Sequence, residues 1–433
     1  MPRDINGAHL PNTRFYNIEQ MLRVVGQRGT ITALHISLVN DPLINAHADD
    51  ENCNWYGKLR FGFEPQGIPP APERFIHIRC YHPNSLSQDP RAYAEHIVGL
   101  LSNWRGSRDH AGRTANLWLD PFVGVSSANE SNLHYENGQP DAGQQPQYQT
   151  VAHYQRIAAW DMAFWQRVDE LVPNRKALRV SPAFADGHEP PGYPADGEYT
   201  IPEVRAMLEA SDLVGIHPYA LLHTNIQSGA LGKDKYWYML RPFRPVGWEG
   251  PHDIGGVISQ YPHKRFLISE TGTFTHFDRA KTGDTWLEMD AFFWFCARSG
   301  KVVGATPFIW NSDGAHKENA IWPNPELRGF METAPRYVTQ AELPLAGHHA
   351  PTPTPTPVGG NPYAYQVGEG MVKRATELGW TLLSDEVYHN PRFPDANAGR
   401  TAWSEAFCDQ GRLYWHKQTD VVAVPFGGGP DHR

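Results

Sequence analysis

LWLDPFVGVSSANE, residues 117–130, decides the fold: an apolar stretch runs to Val125 and then halts on the polar pair Asn129 and Glu130. A strand that stops in this way delivers its carboxylate beyond the sheet, into whatever cleft lies at the strand's C-terminal end. RFLISETG, residues 265–272, repeats the plan, ending on Glu270 with Gly272 two positions later for a sharp turn. The two acids are 140 residues apart (270 − 130), which leaves room for three strand-helix units between their strands. Working outward, short β-branched or apolar runs alternate with helical patterns at 5–10, 30–38, 75–80, 116–125, 177–182, 213–217, 266–270 and 302–310. Eight strands with helices between them is the count of a (β/α)8 TIM barrel, an α/β fold with one parallel sheet closed on itself. By this count Glu130 and Glu270 end the fourth and seventh strands and face one mouth.

The helices announce themselves independently. From Thr150 to Leu171, Val151, Tyr154, Ile157, Ala158, Met162, Trp165, Val168 and Leu171 recur mostly every three or four residues, a stripe suited to packing on the barrel. At TIPE, 200–203, Thr200 is placed to cap a helix with Pro202 in its first turn and Glu203 completing a capping box; that helix should run to about Ser211. Two long insertions, 131–149 and 221–253, follow the fourth and sixth strands, where loops of a barrel build its active site. The second carries Tyr236, Trp237, Tyr238 and Trp248, which suit either a substrate cleft or a cover over apolar surface.

Composition narrows the function. Over 433 residues, 38 Lys and Arg oppose 47 Asp and Glu, a net charge of −9 without long like-charge runs, so neither nucleic acid nor an anionic membrane is an expected partner. No stretch is long and apolar enough for a membrane span. The four cysteines, Cys53, Cys80, Cys296 and Cys408, contain no C-x-x-C pair, which indicates neither a disulfide framework nor a zinc site. Fourteen tryptophans supply flat apolar faces with polar edges that suit sugar rings as well as cores.

On these motifs the chain resembles the clan A glycoside hydrolases over roughly residues 4–335. In that clan an Asn-Glu pair ends strand four as acid/base and a Glu ends strand seven as nucleophile. The resemblance implies a retaining enzyme that cleaves β-glycosidic bonds of a polysaccharide without a cofactor. Glu130 would be acid and base, Glu270 nucleophile, and Asn129 the partner of the sugar 2-hydroxyl. DLVGIHPY, 212–219, looks like the clan's sixth strand, so His217 and Tyr219 would orient the nucleophile. PFIW, 307–310, would place Trp310 as the floor under the sugar. Arg79, ending FIHIR at 75–79, could pair with the nucleophile, although the clan's usual arginine comes from strand two and this one falls on the third. The chemistry fits the residue types: a glycosidic oxygen leaves poorly, so one carboxyl must carry a proton while the other stays ionised to attack.

His9, His35 and His77 lie near the ends of the first three strands, but no H-x-H or H-E-x-x-H spacing accompanies them, so no metal is expected there and sugar-binding or buried polar roles are. The run HHAPTPTPTPVGGNP, 348–362, reads as an extended spacer. The expected domains are therefore a catalytic barrel at 1–345, a Pro/Thr/Gly linker at 346–362 and a small α+β unit at 363–433. The last would comprise a helix at 369–378 and strands at 380–383, 412–416 and 421–425. Its Trp380, Tyr388, Trp403, Tyr414 and Trp415 suit either a glycan- or wall-binding module or a small core. The Pro/Thr linker and acidic charge suit an extracellular setting, while the N-terminus MPRDING lacks a signal-peptide pattern, so export would need a removed leader or another route. Two other functions fit the same sequence: a non-catalytic glycan-binding or adhesion barrel, against which the presence of both acids argues, and a phage-type cell-wall muramidase. The particular polysaccharide, endo or exo action and oligomeric state are not written in these residues.

Overall fold

The computed structural model describes residues 2–10, 18–35, 73–80, 84–102, 116–133, 136, 146–185, 188–220, 241–246, 253–273, 285–308, 321, 325–333, 336–344, 346, 387–388, 403–408, 411–416 and 419–425. The chain divides into two compact units, 1–244 with 256–350 and 245–255 with 351–433.

Among the described residues of the first unit, eight parallel strands follow one another in chain order, β1 (Ala8–His9), β2 (Thr30–His35), β3 (Phe75–Arg79), β4 (Val123–Ser126), β5 (Leu178–Val180), β6 (Val214–Ile216), β7 (Phe266–Thr273) and β8 (Val302–Pro307), and a two-residue strand at Tyr219–Ala220 also pairs parallel with β7. β1 to β5 pair in succession, and so do β6 to β8. Isolated parallel bridges join the two arcs at both seams, Val180 to Leu213 and Ala185 to His217 at one and Asn6 to Ala305 at the other. At one seam Ser181 N donates to Leu213 O (2.9 Å) and Leu213 N to Arg179 O (3.0 Å); at the other Gly7 N donates to Ala305 O (2.8 Å) and Ala305 N to Ile5 O (3.0 Å). The two arcs thus meet at both seams in the strand order of a (β/α)8 barrel, and each of the eight sequence runs contributes to its strand in order.

Period-two alternation explains the filling. Ile76 and Ile78 of β3, Val123 and Val125 of β4, and Val214 and Ile216 of β6 join the core under the helices, while Phe75, Leu178, Val180, Leu213, Leu267 and Val303 form a separate buried cluster. That second cluster needs glycines opposite it: a Cβ on Gly124 would lie 2.5 Å from the Phe75 ring, and one on Gly304 would lie 2.1 Å from Thr30 Oγ1. Arg3 packs over the Phe75 ring and donates to the carbonyls of Glu73 (3.0 Å), Gly29 and Val303 (both 3.3 Å).

Helices α1 (Ile18–Val25), α2 (Pro90–Ser102), α3 (Val151–Leu171), α4 (Pro202–Glu209), α5 (Val257–Gln260), α6 (Thr285–Arg298) and α7 (Pro325–Thr333) alternate with the strands, and the connection from β2 to β3 lies outside the described residues. α3 follows its stripe, with Tyr154, Ile157, Ala158, Trp165 and Val168 buried and Thr150 capping through a bond from His153 N; Met162 and Leu171 are instead exposed. Two local expectations change. Leu117–Leu119 is a 3-10 turn rather than the start of the fourth strand, because the Asn116 side chain accepts from Trp118 N at 3.1 Å and that of Asp120 from Phe122 N at 2.8 Å. Thr200 does not cap α4: its hydroxyl donates to Gly197 O (2.7 Å), closing the preceding 3-10 turn, and Ile201 occupies the cap position.

The second unit contains an antiparallel sheet of β9 (Val387–Tyr388), β10 (Trp403–Cys408), β11 (Gly411–His416) and β12 (Thr419–Pro425) in sequential order. Cys408 pairs with Gly411, so two residues connect that hairpin. β10 was not among the expected strands, and the expected helix 369–378 and strand 380–383 lie outside the described residues.

Candidate active site

Two irregularities at the C-terminal strand ends bring the carboxylates together. Along β7 and β8, Ile268 is opposite Ala305 and Thr271 opposite Pro307, so Ser269 and Glu270 together face the single residue Thr306. This bulge re-aims the residues that follow Ile268. Thr306 Oγ1 stabilises it by donating to Ser269 O at 2.6 Å. Past the end of β4, Glu130 takes φ 30°, a backbone angle that costs a non-glycine residue about 1–2 kcal/mol.

Several bonds offset that cost. Ser127 Oγ donates to Asp161 of α3, whose other oxygen receives Arg179 Nη2 at 2.7 Å. Glu130 N donates to Ala183 O (3.1 Å), and Leu133 N donates to Glu130 O (2.8 Å). His153 Nε2 donates to Ser131 O at 2.7 Å. Asn132 clasps the backbone of Ala185, accepting from its N at 2.9 Å and donating to its O at 3.0 Å, and also donates to the Tyr154 hydroxyl at 3.2 Å. Ala185 in turn bridges to His217.

His217 Nδ1 lies 2.8 Å from Glu130 Oε1 and 3.8 Å from Glu270 Oε2, and its Nε2 lies 2.9 Å from Ser269 Oγ. One nitrogen of His217 and one oxygen from each of Glu130 and Glu270 all fall within 4.8 Å of one another. Burial lowers the pKa of His217, against the opposing pull of Glu130 and with help from the Arg79 charge. The neutral ring has one N–H and one bare nitrogen, so it donates to one of Glu130 and Ser269 and accepts from the other.

Glu270 has different company. The Arg79 guanidinium from β3 forms a buried ion pair with its Oε1, the Tyr219 hydroxyl donates to its Oε2, and His9 Nε2 lies 3.6 Å from Oε1. Tyr219 is set by the pairing of its backbone with Gly272, and burial pushes its hydroxyl pKa well up, so it stays a donor. Arg79 belongs to the third strand, as counted from the sequence, and it reaches the seventh-strand acid from there. Asn129 is buried and its Nδ2 donates to Glu136 Oε1 at 3.1 Å.

The structure therefore brings Glu130, Glu270, His217, Tyr219 and Arg79 to one mouth, with Asn129 beside Glu130 in the chain. Trp310 and the aromatics of 236–248 lie outside the described residues. His77 sits inside the barrel between Thr32 Oγ1 (3.4 Å) and Ser126 Oγ (3.2 Å), its pKa lowered well by burial and then by Arg79. His9 borders Glu270 and packs on Phe308, and the side chain of His35 is outside the described residues. Sequence reasoning did not find Ser269, Asn132, Glu136 or Asp161. Asn132 had a signal in its place two residues past Glu130; Glu136 and Asp161 had none. Among the described residues, Glu130, His217 and Glu270 form one group whose donor atoms could hold a cation. The guanidinium of Arg79 already pairs with Glu270 there and would repel a second positive charge.

No protein-family model and no curated protein matches the chain. Among solved structures it is similar to a GH5_18 protein from Bifidobacterium longum subsp. longum, at 13% identity over 79% of this chain and 81% of that one, TM-score 0.47. It is also similar to a GH128 endo-beta-1,3-glucanase from Sorangium cellulosum, at 14% identity over 77% of this chain and 99% of that one, TM-score 0.40. A modular endo-beta-1,4-mannanase from Cellulomonas fimi shares 12% identity over 98% of this chain and 94% of that one, TM-score 0.42.

Proposed function

We propose that the protein is a retaining β-glycosidase acting on a polysaccharide, with Glu270 as nucleophile and Glu130 as acid and base. The observation that carries the reading is the asymmetric carboxylate pair. Its oxygens approach within 4.8 Å; Glu270 is met by a guanidinium and a tyrosine hydroxyl, while Glu130 lies against the neutral His217 ring. Retaining enzymes need their two carboxyl groups about 5 Å apart, because one must attack the anomeric carbon while the other reaches the leaving oxygen.

In the first step Glu270 attacks, the glycosidic bond breaks, and Glu130 gives its proton to the departing oxygen. The negative charge thereby moves from Glu270, now an ester, to Glu130, now a carboxylate. His217 touches Glu130 and lies 3.8 Å from Glu270, so one neutral ring serves both charge states. In the second step Glu130 takes a proton from water, which attacks the anomeric carbon and returns the charge to Glu270 beside Arg79. Asn129 meets the 2-substituent of the sugar, and Trp310 stacks on the ring. Residues 346–362 act as a spacer, and the sheet unit beyond them tethers the enzyme to polymer, raising its effective concentration there.

The test is release of reducing sugar from β-1,3- and β-1,4-glucans, mannan, xylan, chitosan and peptidoglycan by wild type, Glu130→Gln and Glu270→Gln at matched thermal stability. Activity on a polymer that is lost in both variants is the expected outcome and names the substrate. Undiminished hydrolysis in Glu270→Gln, or silence of the wild type across the panel with polymer binding retained, sinks the proposal.

A further inference from the structure

Asn129 and Glu136 form a buried pair that the exchange between Glu130 and Glu270 leaves without a task. Their side chains belong to residues only 6% and 7% exposed, and the amide nitrogen faces the carboxylate at 3.1 Å. Glu136 is itself held in place, since its carbonyl accepts from Asn84 N at 3.0 Å. The oxygen and nitrogen ends of an asparagine amide are nearly the same shape, so the neighbours decide which end points where. A carboxylate only accepts, and it therefore draws the Nδ2 end. What remains is Oδ1, which is buried with no hydrogen-bond partner among the described residues. A buried acceptor left without a donor is costly, which makes that oxygen a place for a ligand's N–H or O–H.

We infer that Glu136 is a positioning residue that locks the Asn129 amide with its oxygen towards the glycan, so that the sugar's 2-position must carry a hydrogen-bond donor. This rests on the reading of Asn129 as the partner of the 2-substituent beside the acid Glu130. A hydroxyl or an amide N–H meets the requirement. Fluorine, which accepts weakly and cannot donate, does not.

The experiment uses the full chain and the aryl β-glycoside of the sugar identified by the polymer panel, together with its 2-deoxy-2-fluoro counterpart. With the fluoro sugar, the bond from the anomeric carbon to the aryl oxygen breaks, the aryl oxide leaves with its electron pair, and an ester to Glu270 forms. Fluorine slows hydrolysis of that ester, so inactivation is read as a rate constant. In Glu136→Gln the same-shaped side chain can donate to Oδ1, allowing the Asn129 amide to turn and offer Nδ2 to the sugar. The electronic effect of fluorine is the same in both proteins and cancels in the ratio of inactivation by the fluoro sugar to kcat/KM for the 2-hydroxy sugar. That ratio should rise about tenfold or more in Glu136→Gln. Glu136→Ala, which frees the amide to take either orientation, should give a smaller rise in the same direction. If both constants fall together so that the ratio is unchanged in both variants, Glu136 serves stability alone and the inference is overturned. If wild type hydrolyses the 2-hydroxy sugar yet forms no adduct on the peptide carrying Glu270, the nucleophile assignment itself fails and the inference falls with it, so the two failures are told apart.

Discussion

Replacing Arg79 by Met tests the core of the site without reference to any substrate. The Arg79 and Glu270 side chains are 3% and 6% exposed, so the methionine fills most of the volume but leaves a carboxylate in a buried place without its cation. Removing one partner of a buried pair costs about 3–5 kcal/mol, far more than the pair is worth against an apolar isostere. Tyr219 still donates to Glu270 in the variant, which places the expectation at the lower end, about 3 kcal/mol. The assay is urea unfolding of wild type, Arg79→Met, Glu270→Gln and the double variant, followed by a signal of the barrel. Once Glu270 is already neutral, Arg79→Met should cost at least about 1.5 kcal/mol less than it does in wild type, a coupling that a double-mutant cycle resolves. On the proposed mechanism, activity on the best polymer should also fall by tenfold or more in Arg79→Met, because Glu270 has lost its counter-ion. A loss below about 1 kcal/mol, or an equal loss in the Glu270→Gln background, would refute the buried pair as the organiser of the nucleophile.

Asn132→Ala removes three hydrogen bonds and leaves the Ala185 N and O to find other partners in a buried place; we expect about 2–4 kcal/mol of destabilisation in thermal or urea unfolding, and an unchanged midpoint would contradict the clasp. Because Asn132 holds the Glu130 turn, the same variant should lose more activity on aryl glycosides with poor leaving groups than on those with good ones, since only the former need the proton; equal losses would deny the link. His77 and His217 are buried with lowered pKa values, so the unfolded chain binds protons near pH 6.5 that the folded barrel does not. Their contribution is intact above about pH 6.5 and is lost as pH falls from there towards their folded values, by up to about 1.4 kcal/mol per pH unit for each ring. His77→Gln should flatten the decline in unfolding free energy between about pH 6.5 and 5, and a slope identical to wild type would count against a neutral, buried His77.

How much of this could be read from the sequence depended on whether a feature repeats. Strand alternation and helix stripes repeat, so β1 to β8 overlap the eight runs, with β4 and β7 extending past theirs to Ser126 and Thr273, and α3 begins where its stripe does. Turn chemistry does not repeat and is settled by one or two side chains. Asn116 and Asp120 each offered the backbone a local bond, which made a 3-10 turn of Leu117–Leu119 although its residues are apolar enough for a strand. Thr200 similarly served the turn behind it rather than the helix ahead. β10 escaped because Ser404 and Glu405 interrupt its apolar pattern, and its pairing with β11 becomes evident only once the two strands lie side by side. At the site, Glu130, Glu270, His217 and Tyr219 were legible because each lies on or shortly after an apolar run that forms a strand. Asn132 and Glu136 lie beyond the strand, in a stretch whose periodicity says nothing, and their roles exist only through Ala185 and Asn129.

The meeting of the two arcs is what couples these parts. Arg79 is on β3, Glu130 follows β4, His217 follows β6 and Glu270 is on β7, yet all of them touch within a few ångströms. The backbone path from Glu130 to His217 runs through Ala183 and Ala185, just past β5, and crosses the seam where β5 meets β6 by the bridges Val180 to Leu213 and Ala185 to His217. The turn keeps Glu130 at its unfavourable φ, while the bridge from Ala185 to His217 and the bond from Gly215 N to Ser181 Oγ at 3.0 Å hold the sixth-strand end, and His217 with it, against the segment past β5. On that account Gly215, whose missing Cβ leaves room for Ser181 O at 2.6 Å, is as much a requirement of the site as of the fold. A side chain there would push β6 from β5, and with it His217 from Glu130, while leaving both carboxylates chemically intact.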